Sequence, residues 1–225
     1  MMRFILASKS PRRSFFLRER GYLFHTFPTE ISEFLDKNLN IYEAVEDLAR
    51  RKAQALVEGS VLDPKSHYLI LSADTIVFHE GDVLGKPIDQ EDAFKTLRRL
   101  SGKTHEVITA FCLWNTRENR AVTGHAVSQV TFRPLTDDEI WQYVRSGDPM
   151  DKAGSYGIQS LAREFINKNS HQIQSAKEEQ LGSTFRTQGQ DFVVKFTGTL
   201  ENIAGLPVDE VERVARAQGW EFPRN

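Results

Sequence analysis

The chain has 225 residues, 40% of them apolar and 27% charged, the balance of an ordinary globular protein long enough to bury a normal core. A formal net charge of −2 gives no global attraction to nucleic acid or an anionic membrane, so any phosphate recognition has to come from local clusters. The single cysteine, Cys112, excludes an intramolecular disulfide and a cysteine-rich zinc site, and no apolar run approaches the ~20 residues of a membrane span.

In chain order, Phe4–Ala7 reads as a short buried strand. Ser10 then suits an N-cap, Pro11 the first helical position and Gly21 a C-terminal stop. The apolar stretch before Ser10 is too short for a secretory signal, and a cytoplasmic location is expected. Ile41–Val57 has helical periodicity, with Ile41, Ala44, Val45, Leu48 and Leu56 on one face. Tyr68–Phe78 is a nearly continuous apolar run, the pattern of a central strand buried on both faces. A turn around Gly81, Gly85 and Pro87 leads to a helix over Gln90–Leu100 that Gly102 ends. Thr104–Trp114 and Ala121–Phe132 read as a β-hairpin, with Cys112 in the core of its first strand. Thr136 and Glu139 form a capping box for a helix to about Arg145, and Asp209–Ala217 suits a last helix. Helices alternating with strands and a hairpin predict an α/β fold with a mixed, twisted sheet and flanking helices. One domain over 1–225 is expected, with a polar insertion at about 167–191 between the similar tetrapeptides FINK (165–168) and FVVK (192–195).

Several residues contradict the environment their pattern predicts. Arg12 and Arg13 fall in the first turn of a helix, where cations oppose the macrodipole. They are either a solvated pair, or part of an anion site with Ser8, Ser10 and the free backbone N–H groups. Lys52 falls in the middle of the apolar stripe between Leu48 and Leu56; it either snorkels to solvent or meets a carboxylate or phosphate. Asp74 interrupts the most buried-looking strand, where a carboxylate needs a metal, a cation or a chemical task; a plain salt bridge to Lys52 or Lys86 is the alternative. Glu30 and Glu33, in TEISE, are either solvated loop residues or a second acidic centre that could share a magnesium ion with Asp74. Lys86, in GKP, is a turn lysine or a phosphate ligand. In DKAGSYGIQ, Gly154 and Gly157 permit close backbone approach to a ligand, and Gln159 has both donor and acceptor for a base edge. SGKT at 101–104 is not a P-loop, because Leu97 stands where the earlier glycine belongs and a helix precedes it.

Taken in order, ILASKSPRR, TEISE, LARRKAQA, LSADTIVF, LGKP, LRRLSGKTHEVITA, DKAGSYGIQ and NIAGLP resemble the Maf family of nucleotide pyrophosphatases, over nearly the whole chain except Asn167–Gln190. The resemblance implies two lobes around a phosphate-binding cleft, as in the Maf and inosine triphosphate pyrophosphatase folds. It implies hydrolysis between the α and β phosphates of a nucleoside triphosphate, with magnesium or manganese as cofactor. A cytoplasmic homodimer follows from it, with no nucleic acid or membrane as partner. On this chain Asp74 matches the proton acceptor, and Glu33, Lys52 and Lys86 match other catalytic positions; Asp74 and Glu33 are the metal candidates. Ser8, Arg12 and Arg13 match the phosphate-binding loop. Arg12, Thr75 and Gln159 match positions linked to substrate choice, in the combination of the branch that prefers dTTP and UTP. The chain departs from the family pattern at GTL, Gly198–Leu200, and in its insertion. Two other readings stand beside this one: an inosine triphosphate pyrophosphatase-like enzyme, and a non-catalytic nucleotide-binding regulator of cell division.

Overall fold

A computed structural model describes residues 2–158 and 192–224. Gln159, the tetrapeptide at 165–168 and the insertion at about 167–191 lie outside the described residues. The elements are β1 (Met2–Leu6), α1 (Pro11–Glu19), β2 (His25–Thr26), α2 (Ile41–Glu58), β3 (His67–His79), β4 (Asp82–Leu84), α3 (Gln90–Leu100), β5 (Thr104–Asn115), β6 (Arg120–Phe132), α4 (Asp137–Arg145), β7 (Val193–Phe196), α5 (Leu200–Ile203) and α6 (Val208–Ala217). Two single 3-10 turns, Asp148–Asp151 and Ala153–Ser155, follow α4. Among the described residues no helix is long and apolar enough to cross a membrane.

The expected mixed α/β sheet is present, in the order β2-β1-β3-β5-β6-β7 with β4 on β3. β1 runs parallel to both β2 and β3, with Leu6 opposite Leu71. The antiparallel register of β3 and β5 shows in two contacts: the Thr116 N–H donates to the Tyr68 carbonyl at 2.9 Å, and Thr75 meets Thr109 seven residues back. β4 and β7 pair antiparallel with β3 and β6. FVVK therefore supplies strand β7. Two short strands escape a periodicity reading: β2 has only His25 and Thr26, both exposed, and β4 only three residues.

The chain packs as two compact units. The first gathers the described residues of Met1–Thr75, Ile108–Ala126 and Gly205–Asn225. Its strands alternate. Phe4, Leu6, Leu69, Leu71, Ala73, Phe111 and Leu113 share one face and form a core with Leu17 of α1 and Val211, Val214 and Ala215 of α6. The opposite face takes α2, where the Ser72 hydroxyl donates to the Ala49 carbonyl at 2.6 Å. Asn40 and Glu43 begin α2 with a capping box. Cys112 is fully buried and its thiol is pushed up to about 12 by that burial, so it packs as an apolar residue.

The second unit gathers the described residues of Ile76–Val107 and Val127–Ala204. Thr136 and Glu139 make the predicted capping box, and α3 packs on α4 through stacked Phe94 and Trp141. Gly198 has φ +81 and a Cβ there would fall 2.2 Å from the Ser128 hydroxyl, so the GTL departure keeps the one residue that this corner cannot change. Thr199 then caps α5, accepting from Asn202 N–H at 3.1 Å. Around β5 lies an aromatic group of His105, Phe132, Tyr156, Phe192 and Tyr143. His105 Nε2 and the Tyr156 hydroxyl share a hydrogen bond of 2.8 Å.

Burial, with His79 nearby, lowers the His105 pKa to about 3. The unfolded chain takes up a proton near pH 6.5 that the folded chain refuses, so stability falls as pH drops from about 6.5 towards 3 and is unaffected by this group above that window. One such proton gives a slope of about 1.4 kcal/mol per pH unit. His105→Gln, which can still bond Tyr156, should flatten the fall of the melting temperature with pH in this range; an unchanged profile would show that other groups carry the acid lability.

Candidate active site

The site is built where β1 ends beside β3. The Ala7 N–H donates to the Leu71 carbonyl at 2.7 Å, so the loop after β1 leaves along Ser72–Thr75. In open α/β sheets the carboxyl ends of parallel strands are where ligands gather. Ser10 caps α1 as predicted, accepting from the Arg13 N–H, and Pro11 occupies the first turn. No acidic residue sits in that turn. The dipole of α1, with Arg12 and Arg13, therefore makes a locally positive end in a chain of net negative charge.

Asp74 and Thr75 are neighbours on β3 and so face opposite sides of the sheet. Asp74 faces α2. Lys52 lies one helical turn beyond Ala49, the residue that holds Ser72, and its Nζ donates to Asp74 Oδ1 at 2.5 Å and to Glu33 Oε1 at 2.6 Å. The Lys52 and Asp74 side chains are 10% and 14% exposed, against 54% for Glu33. The charge in the apolar stripe is thus met by two carboxylates rather than by solvent. Two of the three ammonium protons are used, which leaves one to donate. The TEISE glutamates part company: Glu33 joins Lys52, while Glu30 pairs with the exposed Lys9.

Thr75 faces the other side, towards α1. Arg13 turns inward and its guanidinium donates to the Gly205 carbonyl at 2.8 Å, the Ser8 hydroxyl at 3.1 Å and the Thr75 hydroxyl at 3.2 Å. Thr75 Oγ1 also lies 3.0 Å from Thr109 Oγ1. Burial lowers the Arg13 pKa and Arg12 adds to this, while the charges of Asp74 and Glu33 oppose it. The two groups of side chains therefore share one electrostatic environment. Arg12 is half-buried in the same turn. Gly205 is tightly specified: its φ is +113, and a Cβ there would come 3.3 Å from Thr75 Oγ1.

Ser8, Arg12, Arg13, Glu33, Lys52, Asp74 and Thr75 all belong to the first unit. Lys86 belongs to the second, exposed in the loop after β4. There the Gly154 N–H donates to the Gly85 carbonyl at 3.0 Å, tying the GKP loop to DKAGSYG. Gly154 has φ +69 and its missing Cβ would sit 2.6 Å from a methyl of Val77. Its missing Cβ faces the protein's own sheet. The Lys152 ammonium holds the Asp148 carbonyl at 2.5 Å and the Asp151 carboxylate at 2.6 Å, and the Gly157 N–H donates to the Tyr143 hydroxyl at 3.1 Å. The loop that leads to Gln159 is therefore well anchored; Gln159 itself lies outside the described residues.

Residues 3–176 match the family model described as Maf-like protein. The chain belongs to the Maf-like family. Its relatives include the dTTP/UTP pyrophosphatase of Bdellovibrio bacteriovorus, 40% identical over 93% of this chain and 95% of that protein. That of Syntrophomonas wolfei is 37% identical over 98% of this chain and all of its own, and that of Carboxydothermus hydrogenoformans 36% identical over 97% and all of its own. Sequence reasoning over this Maf-like chain missed Thr109 and the part played by Gly205. Thr109 carried a signal, a hydroxyl inside the apolar run Val107–Trp114, of the kind that singled out Asp74.

Gly205→Ala should lower the melting temperature, with a cost on the order of 1–3 kcal/mol from the strained backbone and the displaced Thr75 hydroxyl. Thermal unfolding by circular dichroism measures this, and a variant as stable as the parent would refute the tight packing described for Gly205.

Proposed function

We propose that this Maf-like protein hydrolyses dTTP and UTP to the nucleoside monophosphate and pyrophosphate. The observation that carries the reading is the Glu33–Lys52–Asp74 cluster beside the positive start of α1. A buried ion pair is a poor stabilising device compared with apolar packing, so a lysine ammonium held by two carboxylates with a proton left to donate points to chemistry. The names of the relatives support the choice of nucleotide.

In this mechanism Asp74 accepts a proton from a water that attacks the α phosphorus; the bond from that phosphorus to the bridging oxygen breaks and pyrophosphate leaves. Lys52 uses its third proton on a phosphate oxygen, and Arg12 with the first-turn N–H groups of α1 holds the triphosphate in line. Ser8 and Arg13 complete the phosphate loop, and Thr75 contributes to nucleotide choice. Lys86 as a phosphate ligand and Gln159 as a reader of the base enter on their motifs, LGKP and DKAGSYGIQ.

Glu33 and Asp74 both reach one nitrogen, so their oxygens lie close enough to serve one small cation. Among the described residues no group of three or more His, Cys, Asp or Glu is placed to hold a metal ion by itself. Magnesium or manganese can be held by one or two carboxylates plus phosphate and water oxygens. When bound, the cation would neutralise charge on the phosphates. A homodimer working in the cytoplasm belongs to the same proposal.

The test is release of monophosphate and pyrophosphate from dTTP, UTP, CTP, GTP, ITP and ATP with magnesium, and then manganese. Turnover of dTTP and UTP is expected, with a loss of roughly 10²–10⁴-fold in Asp74→Asn. Preference for ITP would move the protein to the other enzyme class. No turnover of any nucleotide would leave a nucleotide-binding regulator.

A further inference from the structure

Resting on that reading, we propose that Ser8 is committed as a hydrogen-bond donor to a phosphate oxygen of the bound nucleoside triphosphate, and that Arg13 is the positioning residue that commits it. The argument is one of proton inventory. A backbone N–H and a guanidinium have only protons to give, whereas a hydroxyl has one proton and two lone pairs. Ser8 Oγ accepts from the Ser10 N–H at 3.2 Å and from Arg13 Nη1 at 3.1 Å. Neither partner can accept, so the direction of both bonds is fixed and both lone pairs are filled. What Ser8 has left is its own proton, and among the described residues no hydrogen bond takes it. Ser8 is 8% exposed, and a buried donor without an acceptor is rare and costly in a folded protein. Its place in the loop after β1, beside the positive start of α1, makes an anionic oxygen the acceptor that fits.

Arg13 acts from a fixed position. Its Nε donates to the Gly205 carbonyl at 2.8 Å and its Nη2 to the Thr75 hydroxyl at 3.2 Å. Those two bonds settle the plane of the guanidinium, and Nη1 then falls on Ser8. Without that bond one lone pair of Ser8 is released and the hydroxyl is free to turn. A lone pair rather than a proton could then meet the phosphate. The spacing of Ser8, Ser10 and Arg13 supports the arrangement locally, because Ser10 Oγ accepts from the Arg13 N–H and holds the arginine in the first turn of α1.

Ser8→Ala removes the donor. Arg13→Lys keeps the positive charge, but a single ammonium cannot repeat the fork that reaches Gly205 and Ser8 together. Steady-state kinetics on dTTP and UTP for both variants and for the double variant, with melting temperatures, complete a double-mutant cycle. Ser8→Ala in the parent should lower kcat/KM roughly 10- to 100-fold, the worth of one hydrogen bond to a charged group. Arg13→Lys should lower it at least as far, and adding Ser8→Ala to Arg13→Lys should change it by no more than about 2-fold. Effects that multiply in the double variant would show that Arg13 does not act through Ser8 and would overturn the inference. So would an Arg13→Lys variant that melts at a lower temperature but keeps the parent's KM and kcat/KM per active enzyme, the mark of a merely structural role. Ser8→Ala with the parent's kinetics would overturn it whether or not the Arg13 variant folds, and in each of these cases the pyrophosphatase reading stands. A parent enzyme that turns over no nucleotide would overturn that reading and the inference with it.

Discussion

A strand sends consecutive side chains to opposite faces of its sheet, and the layout of the candidate site depends on that rule at the dipeptide Asp74-Thr75. Parallel pairing of β3 with β1 sets the loop of Ser8–Arg13 beside it. Pairing with β5 sets Thr109 against Thr75, and α2 covers the other face with Lys52 above Asp74. A slip of one residue in β3 would exchange the two faces, putting a carboxylate against the core of α1 and α6 and a hydroxyl against the Lys52 ammonium. The same slip would move Leu69, Leu71 and Ala73 out of this core to the face that α2 covers.

Arg13 shows how the positive start of α1 is tolerated. A guanidinium in the first turn works against the helix dipole, and burial adds a desolvation cost, which is the direction of its lowered pKa. The offsetting interactions come from the chain around it: the Gly205 carbonyl, two hydroxyls and the charges of Asp74 and Glu33. Arg13 has five N–H groups and three are engaged in this way, so it is fixed in place with donors to spare. Arg12 shares that turn, and an anion there would relieve the repulsion between the two guanidinium groups and complement the helix dipole.

Much of this was legible before any coordinates. Asp74 stood out as a carboxylate in an apolar strand, and Lys52 as a cation in an apolar helical stripe; their pairing follows because each needs a partner of opposite charge. Ser10, Thr136 and Glu139 announced their helices through local capping, which depends on residues three apart. What stayed hidden depends on contacts that sequence spacing does not encode. β2 is two exposed residues joined to β1 by backbone bonds alone, without an apolar pattern. The inward turn of Arg13 needs Gly205, 192 residues away. Nothing in TEISE separates Glu33 from Glu30, because the choice is made by Lys52 and Lys9. Gly154 was recognised as a close-approach glycine, but what it approaches, Val77, is a matter of tertiary packing.

The two carboxylates on Lys52 are not equivalent, and the difference bears on how a charged substrate would be received. Asp74 sits within β3, which lies between β1 and β5 in the sheet, and is 14% exposed, so its backbone position is set by the strand. Glu33 lies in the irregular segment between β2 and α2, with its side chain 54% exposed. That segment is tied to α2 by Arg51, which donates to the Ser32 carbonyl at 2.9 Å and to that of Phe34 at 2.5 Å, one residue to either side of Glu33. The backbone of Glu33 is thus held while its side chain remains in water. Moving an exposed carboxylate away from an ammonium costs less than moving a buried one, because solvent replaces part of what is lost. Of the two contacts that Lys52 makes, the one to Glu33 is therefore the easier to loosen, while the one to Asp74 is fixed by the sheet.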